Sequence, residues 1–160
     1  MRRSGLAVSH RGSAMIEGTF VFLLLLGLLF LLMDLSWGIF AKASIQHAVR
    51  EGVRYAVTSQ TDGSNGQVAS IKNVVQQNAM GFLAGSSNYA LINVNFYAAD
   101  TLAVLTGPGS NSGGNLVIVS VDNYQLKPMF PLLRPATPVQ FSVRAGDKME
   151  ASPFGIPPQL

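Results

Sequence analysis

The chain has 160 residues, 48% of them hydrophobic and only 12% charged, about half of the roughly 25% usual for soluble domains. With a mean hydropathy of +0.31, that deficit points to a membrane segment. Arg2, Arg3 and Arg11 lie in the first twelve positions, and without them eight basic residues balance eight acidic ones. The positive excess therefore belongs to the N-terminal tip and describes no nucleic-acid surface. The absence of Cys excludes disulfides, Cys-ligated zinc and thiol catalysis, and two histidines, His10 and His47, leave little for a metal site.

From Gly18 to Phe40 the sequence is almost purely apolar, with Asp34 as its one charge. About 20 apolar residues cross a bilayer core, so a transmembrane helix is predicted, with its span at about 18–41. A 160-residue chain is too small to bury such a helix on all sides. The basic leader places the N-terminus in the cytoplasm and the rest of the chain across the membrane, in the periplasm. Trp37 falls near the far end, where an indole favours the interface. Asp34 lies nearby, within reach of interfacial water or of a polar group on a partner helix. Ala41-Lys42-Ala43 imitates a signal-peptidase site, but the apolar run before it is too long for a signal peptide and Asp34 interrupts it.

The junction ahead of the span reads Arg11-Gly12-Ser13-Ala14-Met15-Ile16-Glu17. A carboxylate at the mouth of a membrane helix is expensive and calls for a partner. Cutting after Gly12 would give Ser13 an α-amino group, four residues and about 6 Å of helix from Glu17. Within one chain that pair is awkwardly placed. Between helices shifted along their axes, the amine of one subunit can meet Glu17 of the next, neutralising both charges and fixing an axial register. The plainer reading is a carboxylate favoured by a helix N-terminus. A capping box is excluded, because Ser13 and Glu17 are one residue too far apart.

Basic leader, Gly12, the five-residue step to Glu17 and the apolar helix resemble the prepilin signal of type IV pilin-like proteins. The wider stretch is similar to the TadE-like pseudopilins of tight-adherence (Tad/Flp) pilus systems, through Arg11-Gly12, Ala14, Glu17, Asp34 and the run Ala48-Val49-Arg50-Glu51-Gly52-Val53-Arg54-Tyr55-Ala56. One departure is Gly18, where the family pattern usually has Phe. The resemblance implies cleavage after Gly12 by a prepilin peptidase, N-methylation of Ser13, and a minor pilin's role in pilus assembly. The partners it implies are other pilins or pseudopilins, the assembly machinery and inner-membrane lipid. Arg50, Glu51, Gly52, Arg54 and Tyr55 form its most specific motif.

The helical pattern continues past the membrane, with Ile45, Val49, Gly52, Val53 and Ala56 on one stripe, so a helix over 14–57 is predicted. A polar loop follows over 58–66. Val68 to Leu83 reads as an amphipathic helix ended by Gly85. The period then changes to two: strands are predicted over 92–98, 116–124 and 139–145, with a further partner strand over 101–106. The fold class is α+β, a long N-terminal helix followed by a small head with a three- or four-stranded antiparallel sheet covered by helix. The organisation is a leader over 1–12, a long helix over 13–57 and a head over 58–160.

Gly107 to Gly114 is expected to be a flexible loop tip, since a phosphate loop needs Gly-Lys-Ser/Thr opening a helix. The loop from Lys127 to Pro138 has four prolines, and its Met129, Phe130, Leu132 and Leu133 are expected to cap the core, with partner binding as the other use. Ser152 to Leu160 reads as an extended tail. The acids beyond the span are scattered and no nucleophile motif appears, so neither catalysis nor a cofactor is expected. The expected function is that of a TadE-like minor pilin. The alternative is an uncleaved, single-pass, membrane-anchored periplasmic binding module.

Overall fold

The computed structural model describes residues 11–62, 65–130, 138–153 and 155–160. Its first element is α1, Arg11–Val57, 47 residues and about 70 Å long at 1.5 Å per residue. Two halves of α1 have opposite surroundings. Up to Phe40 the apolar side chains stand exposed, with Phe20, Leu24 and Leu28 all more than half accessible. From Ala41 onward one stripe is buried: Ala41, Ile45, Ala48, Val49, Val53 and Ala56. The sequence explains the change, because leucines all around the helix suit lipid, whereas an apolar stripe at helical spacing suits one packed face.

Helix α2, Gly66–Asn78, lies against that stripe. It ends five residues before the predicted boundary. Met80 (φ 51°) and Gly81 (φ 84°) reverse the chain, and Leu83 reaches the core from the turn beyond. The apolar spacing up to Leu83 resembles a continuing helix, but the stop is Gly81. Gly85 (φ 88°) instead leads into α3, Ser86–Tyr89, a single turn that the sequence pattern does not announce.

Four strands follow: β1 Ile92–Tyr97, β2 Val104–Leu105, β3 Leu116–Gln125 and β4 Gln140–Lys148. They form one sheet in the order β2-β1-β3-β4, every neighbour antiparallel. The predicted partner strand shrinks to two residues, and β4 runs three residues past its predicted end. Val117, Val119 and Val121 of β3 face Ile45, Val49, Ile71 and Val75 of the helices across one continuous core. The alternating apolar residues of β1 and β3 thus meet the stripe of α1, which closes the head onto its own stalk.

A bulge interrupts β3. Val121 pairs with Val143 and Tyr124 with Phe141, leaving one extra residue on the β3 side. Asn123 absorbs it at φ 56°, a conformation that Asn tolerates better than most residues. Its backbone N–H donates to Ser142 Oγ at 3.1 Å. The bulge bends the end of β3, so that Leu126 comes against Gly38 of α1.

Two expectations about the head are corrected. The glycine-rich loop is no free tip, because Ser110 and Asn111 within it are buried. The tail does not hang loose, since it returns to the start of α2. Asn111 Nδ2 donates to Gln67 Oε1 at 2.6 Å and to the Pro158 carbonyl at 2.8 Å. The Gln67 backbone N–H donates to the Gln159 carbonyl at 2.7 Å. Gly66 (φ 78°) lies so close to the Leu160 backbone that a side chain there would overlap it. Short polar residues, Gly and Pro look like a loop in sequence, and nothing local marks them as core. Asn111→Ala would strip Gln67 and Pro158 of their donor, and a buried acceptor left unpaired costs about 1–3 kcal/mol. Thermal unfolding of the detergent-solubilised full chain is expected to shift down by several degrees.

Candidate functional site

Gly12 and Ser13 lie in the first turn of α1, and no other part of the described chain comes within 4 Å of where a Gly12 side chain would begin. Glu17 follows on an exposed surface. Among the described residues it has no hydrogen-bond or ion-pair partner. Around it stand Met15, Ile16, Phe20 and Val21, each more than 60% accessible. The carboxylate is therefore presented outward from an apolar rod, with nothing among the described residues to satisfy it.

Asp34 makes a contact within the chain that neither sequence reading anticipated. Its Oδ1 accepts the backbone N–H groups of Met129 and Phe130, at 2.9 and 3.2 Å. The Phe130 ring stacks on Phe30 with centroids 4.5 Å apart. The charge in the apolar run thus clamps the chain's own head to the stalk. Two orphan amides and a carboxylate make strong, charge-assisted bonds. Met129 and Phe130 do not cap the head's core: Met129 is half-exposed, and Phe130 lies against the exposed half of α1. Leu132 and Leu133 lie outside the described residues. The signal for this clamp was two separate oddities, a lone acid in an apolar run and an apolar loop rich in proline, which no local pattern joins.

The clamp bounds two recesses that share Trp37. One is an apolar groove of about 450 Å3 along α1, lined by Leu29, Leu32, Met33, Phe40 and Met129. The other is a more polar cleft of about 570 Å3, under the bulge of β3, with Asn88, Asn123, Gln125 and Lys127 on its walls. Trp37, Phe40 and Phe82 pack at the junction with ring centroids 5.3–6.0 Å apart. Burial pushes the Tyr124 phenol, at the edge of the cleft, above its ordinary range.

The motif farther along α1 divides in two. Gly52 faces α2, where a Cβ would overlap Val75 Cγ2. Tyr55 packs against the core from its edge. Arg50 and Arg54 point away from the head, and Arg54 and Glu51 approach only to 4.0 Å, an exposed pair worth little. Gly52 and Tyr55 therefore build the joint between stalk and head, and the arginines remain free to meet something else. Among the described residues, no three His, Cys, Asp or Glu side chains gather as a metal site.

Among the described residues, one helix is long and apolar enough to cross a membrane, the N-terminal one, which fits membrane anchoring. No curated protein and no solved structure matches the chain. A family model described as TadE-like protein matches residues 12–54. That match begins at Gly12, takes in Glu17 and Asp34, and stops inside the motif that joins stalk to head. Over its long helix, and well short of half its length, the chain is similar to TadE-like proteins.

Proposed function

We propose that the chain is a non-catalytic minor pilin of a Tad/Flp pilus, cut after Gly12 by a prepilin peptidase and assembled through Glu17. The supporting observation is the exposed carboxylate of Glu17 on an apolar rod, without a partner among the described residues and one turn beyond the Gly12-Ser13 bond. Asp34, hydrogen-bonded to the head, is taken as the outer edge of the hydrocarbon, short of the Ala41 suggested by the apolar run alone. Counting back about 30 Å at 1.5 Å per residue reaches Ala14, which places Glu17 roughly 5 Å inside the inner edge. A carboxylate there needs a cation, and the new α-ammonium of a neighbour's Ser13 is one at the right depth. N-methylation of Ser13 keeps that charge.

The N-terminus lies in the cytoplasm and the head in the periplasm, as the arginines of the leader dictate. Neighbouring pilin helices pack along the exposed half of α1, where Gly18 and Gly27 permit close approach. Arg50 and Arg54, outside the bilayer, face components of the assembly machinery. Deleting the chain is expected to abolish surface pili, and the full-length chain to restore them, as counted by electron microscopy and by shearing. Unchanged piliation in the deletion strain would contradict the proposal. A protein recovered only in membranes and never in sheared pili would favour the uncleaved anchor.

A further inference from the structure

We infer that the apolar groove between α1 and the Leu126–Phe130 segment is occupied by phospholipid of the periplasmic leaflet, so that part of the head is immersed in the bilayer. This rests on the membrane reading of α1 and extends it to a segment far away in sequence. Three observations carry it. Met129 is about half exposed although the clamp on Asp34 holds it beside the apolar run. The groove it closes is lined almost wholly by carbon, from Leu29 to Phe40, a stretch of about 16 Å along the helix. That wall continues the lipid-facing surface of α1 without a break, as Leu24, Leu28 and Leu32 remain more than half accessible just below.

The depths agree. With the hydrocarbon ending at Asp34, Leu29, Leu32 and Met33 face acyl chains. Trp37 stands about 5 Å higher, within the headgroup layer, where an indole is favoured. The polar cleft opens at that height. It offers Lys127 as a cation, and Asn88, Asn123 and Gln125 as hydrogen-bonding groups, to a headgroup phosphate. An apolar trough below and a polar, cationic recess above, joined at one tryptophan, have the amphipathic order of a phospholipid.

The chain has no Cys, so a single introduced Cys reports one position. Full chains carrying Met129→Cys, Leu24→Cys or Leu102→Cys are labelled with a nitroxide in vesicles of phosphatidylethanolamine and phosphatidylglycerol. Collisions with oxygen, enriched in lipid, and with a water-soluble nickel chelate measure depth. The label at 129 is expected to resemble that at 24, with nickel collisions several-fold fewer than at 102, a head position that is 64% accessible. Adding Asp34→Ala frees the clamp, and the label at 129 is then expected to gain nickel access. A wet label at 129 beside a lipid-facing one at 24 would overturn the inference and leave the membrane helix intact. Wet labels at both positions would overturn the membrane reading itself. A label at 129 shielded from both reagents would also overturn the inference, since a second copy of the chain would then fill the groove.

Discussion

Replacing Glu17 by Ala is expected to leave cleavage after Gly12 intact while removing the chain from sheared pili. In the proposed processing the peptidase acts on the leader side of Ser13, whereas Glu17 is exposed and has no hydrogen-bond or ion-pair partner among the described residues. Under the proposed assembly, the substitution removes the counter-ion of a neighbour's amine. Breaking one partner of a buried ion pair costs about 3–5 kcal/mol, because the other charge is stranded. Such a loss lowers subunit association by roughly two to four orders of magnitude. Glu17→Gln keeps the size and loses the charge, so it is expected to fail as well. Immunoblots of membrane and pilus fractions check both variants. Wild-type incorporation of either one would contradict charge pairing and leave Glu17 as a mere helix-terminus residue.

The second large effect is expected at Gly52. Here α1 and α2 cross so closely that even a methyl group would overlap Val75, with Ile71 beside it. The crossing cannot open locally, because Val49, Val53 and Ala56 are buried on the same stripe against the head. Overpacking a core ordinarily costs about 1–3 kcal/mol. Gly52→Val, with two more methyl groups to place, is expected at or above the top of that range. Since domains hold only about 5–15 kcal/mol in all, much of the head's stability would go. Limited proteolysis of membranes is expected to clip the head while the segment in the bilayer survives. A head as protease-resistant as the wild type would show that the joint is looser than the geometry implies.

Most of the fold was legible because it rests on periodicity. Leucines on all sides of α1 up to Phe40, then a stripe at Ile45, Val49 and Val53, mark where lipid gives way to a packed face. Alternation in β1 and β3 marks the sheet. Where expectations failed, the cause was a local stop in one case and contacts between distant segments in the others. The stop at Gly81 competes with an apolar spacing that runs on to Leu83. Asn111 and the tail look like loop because their polar atoms are satisfied by one another, across 44 and 47 residues of sequence. Asp34 was visible as an oddity, but its partners are backbone amides 95 and 96 residues away, and amides carry no sequence signal.

The candidate site shows the same division. Gly12, Ser13 and Glu17 could be singled out because what the proposal asks of them is local: a glycine, a serine and a carboxylate along one turn of helix. Gly52 also stood out, as part of the motif, but only the packing against Val75 gives it a physical task. Arg50 and Arg54, equally prominent in sequence, are exposed, and among the described residues only the 4.0 Å approach of Arg54 to Glu51 engages either side chain.

The account turns on whether the ammonium that Glu17 requires is ever made. Intact-mass and N-terminal analysis of the full protein purified from membranes measures that directly. The predicted result is a polypeptide beginning at Ser13 and carrying one methyl group on its amine. A polypeptide beginning at Met1 would contradict it, because Glu17 would then face a membrane with no partner of this kind, and one beginning at Ser44 would remove the membrane helix altogether.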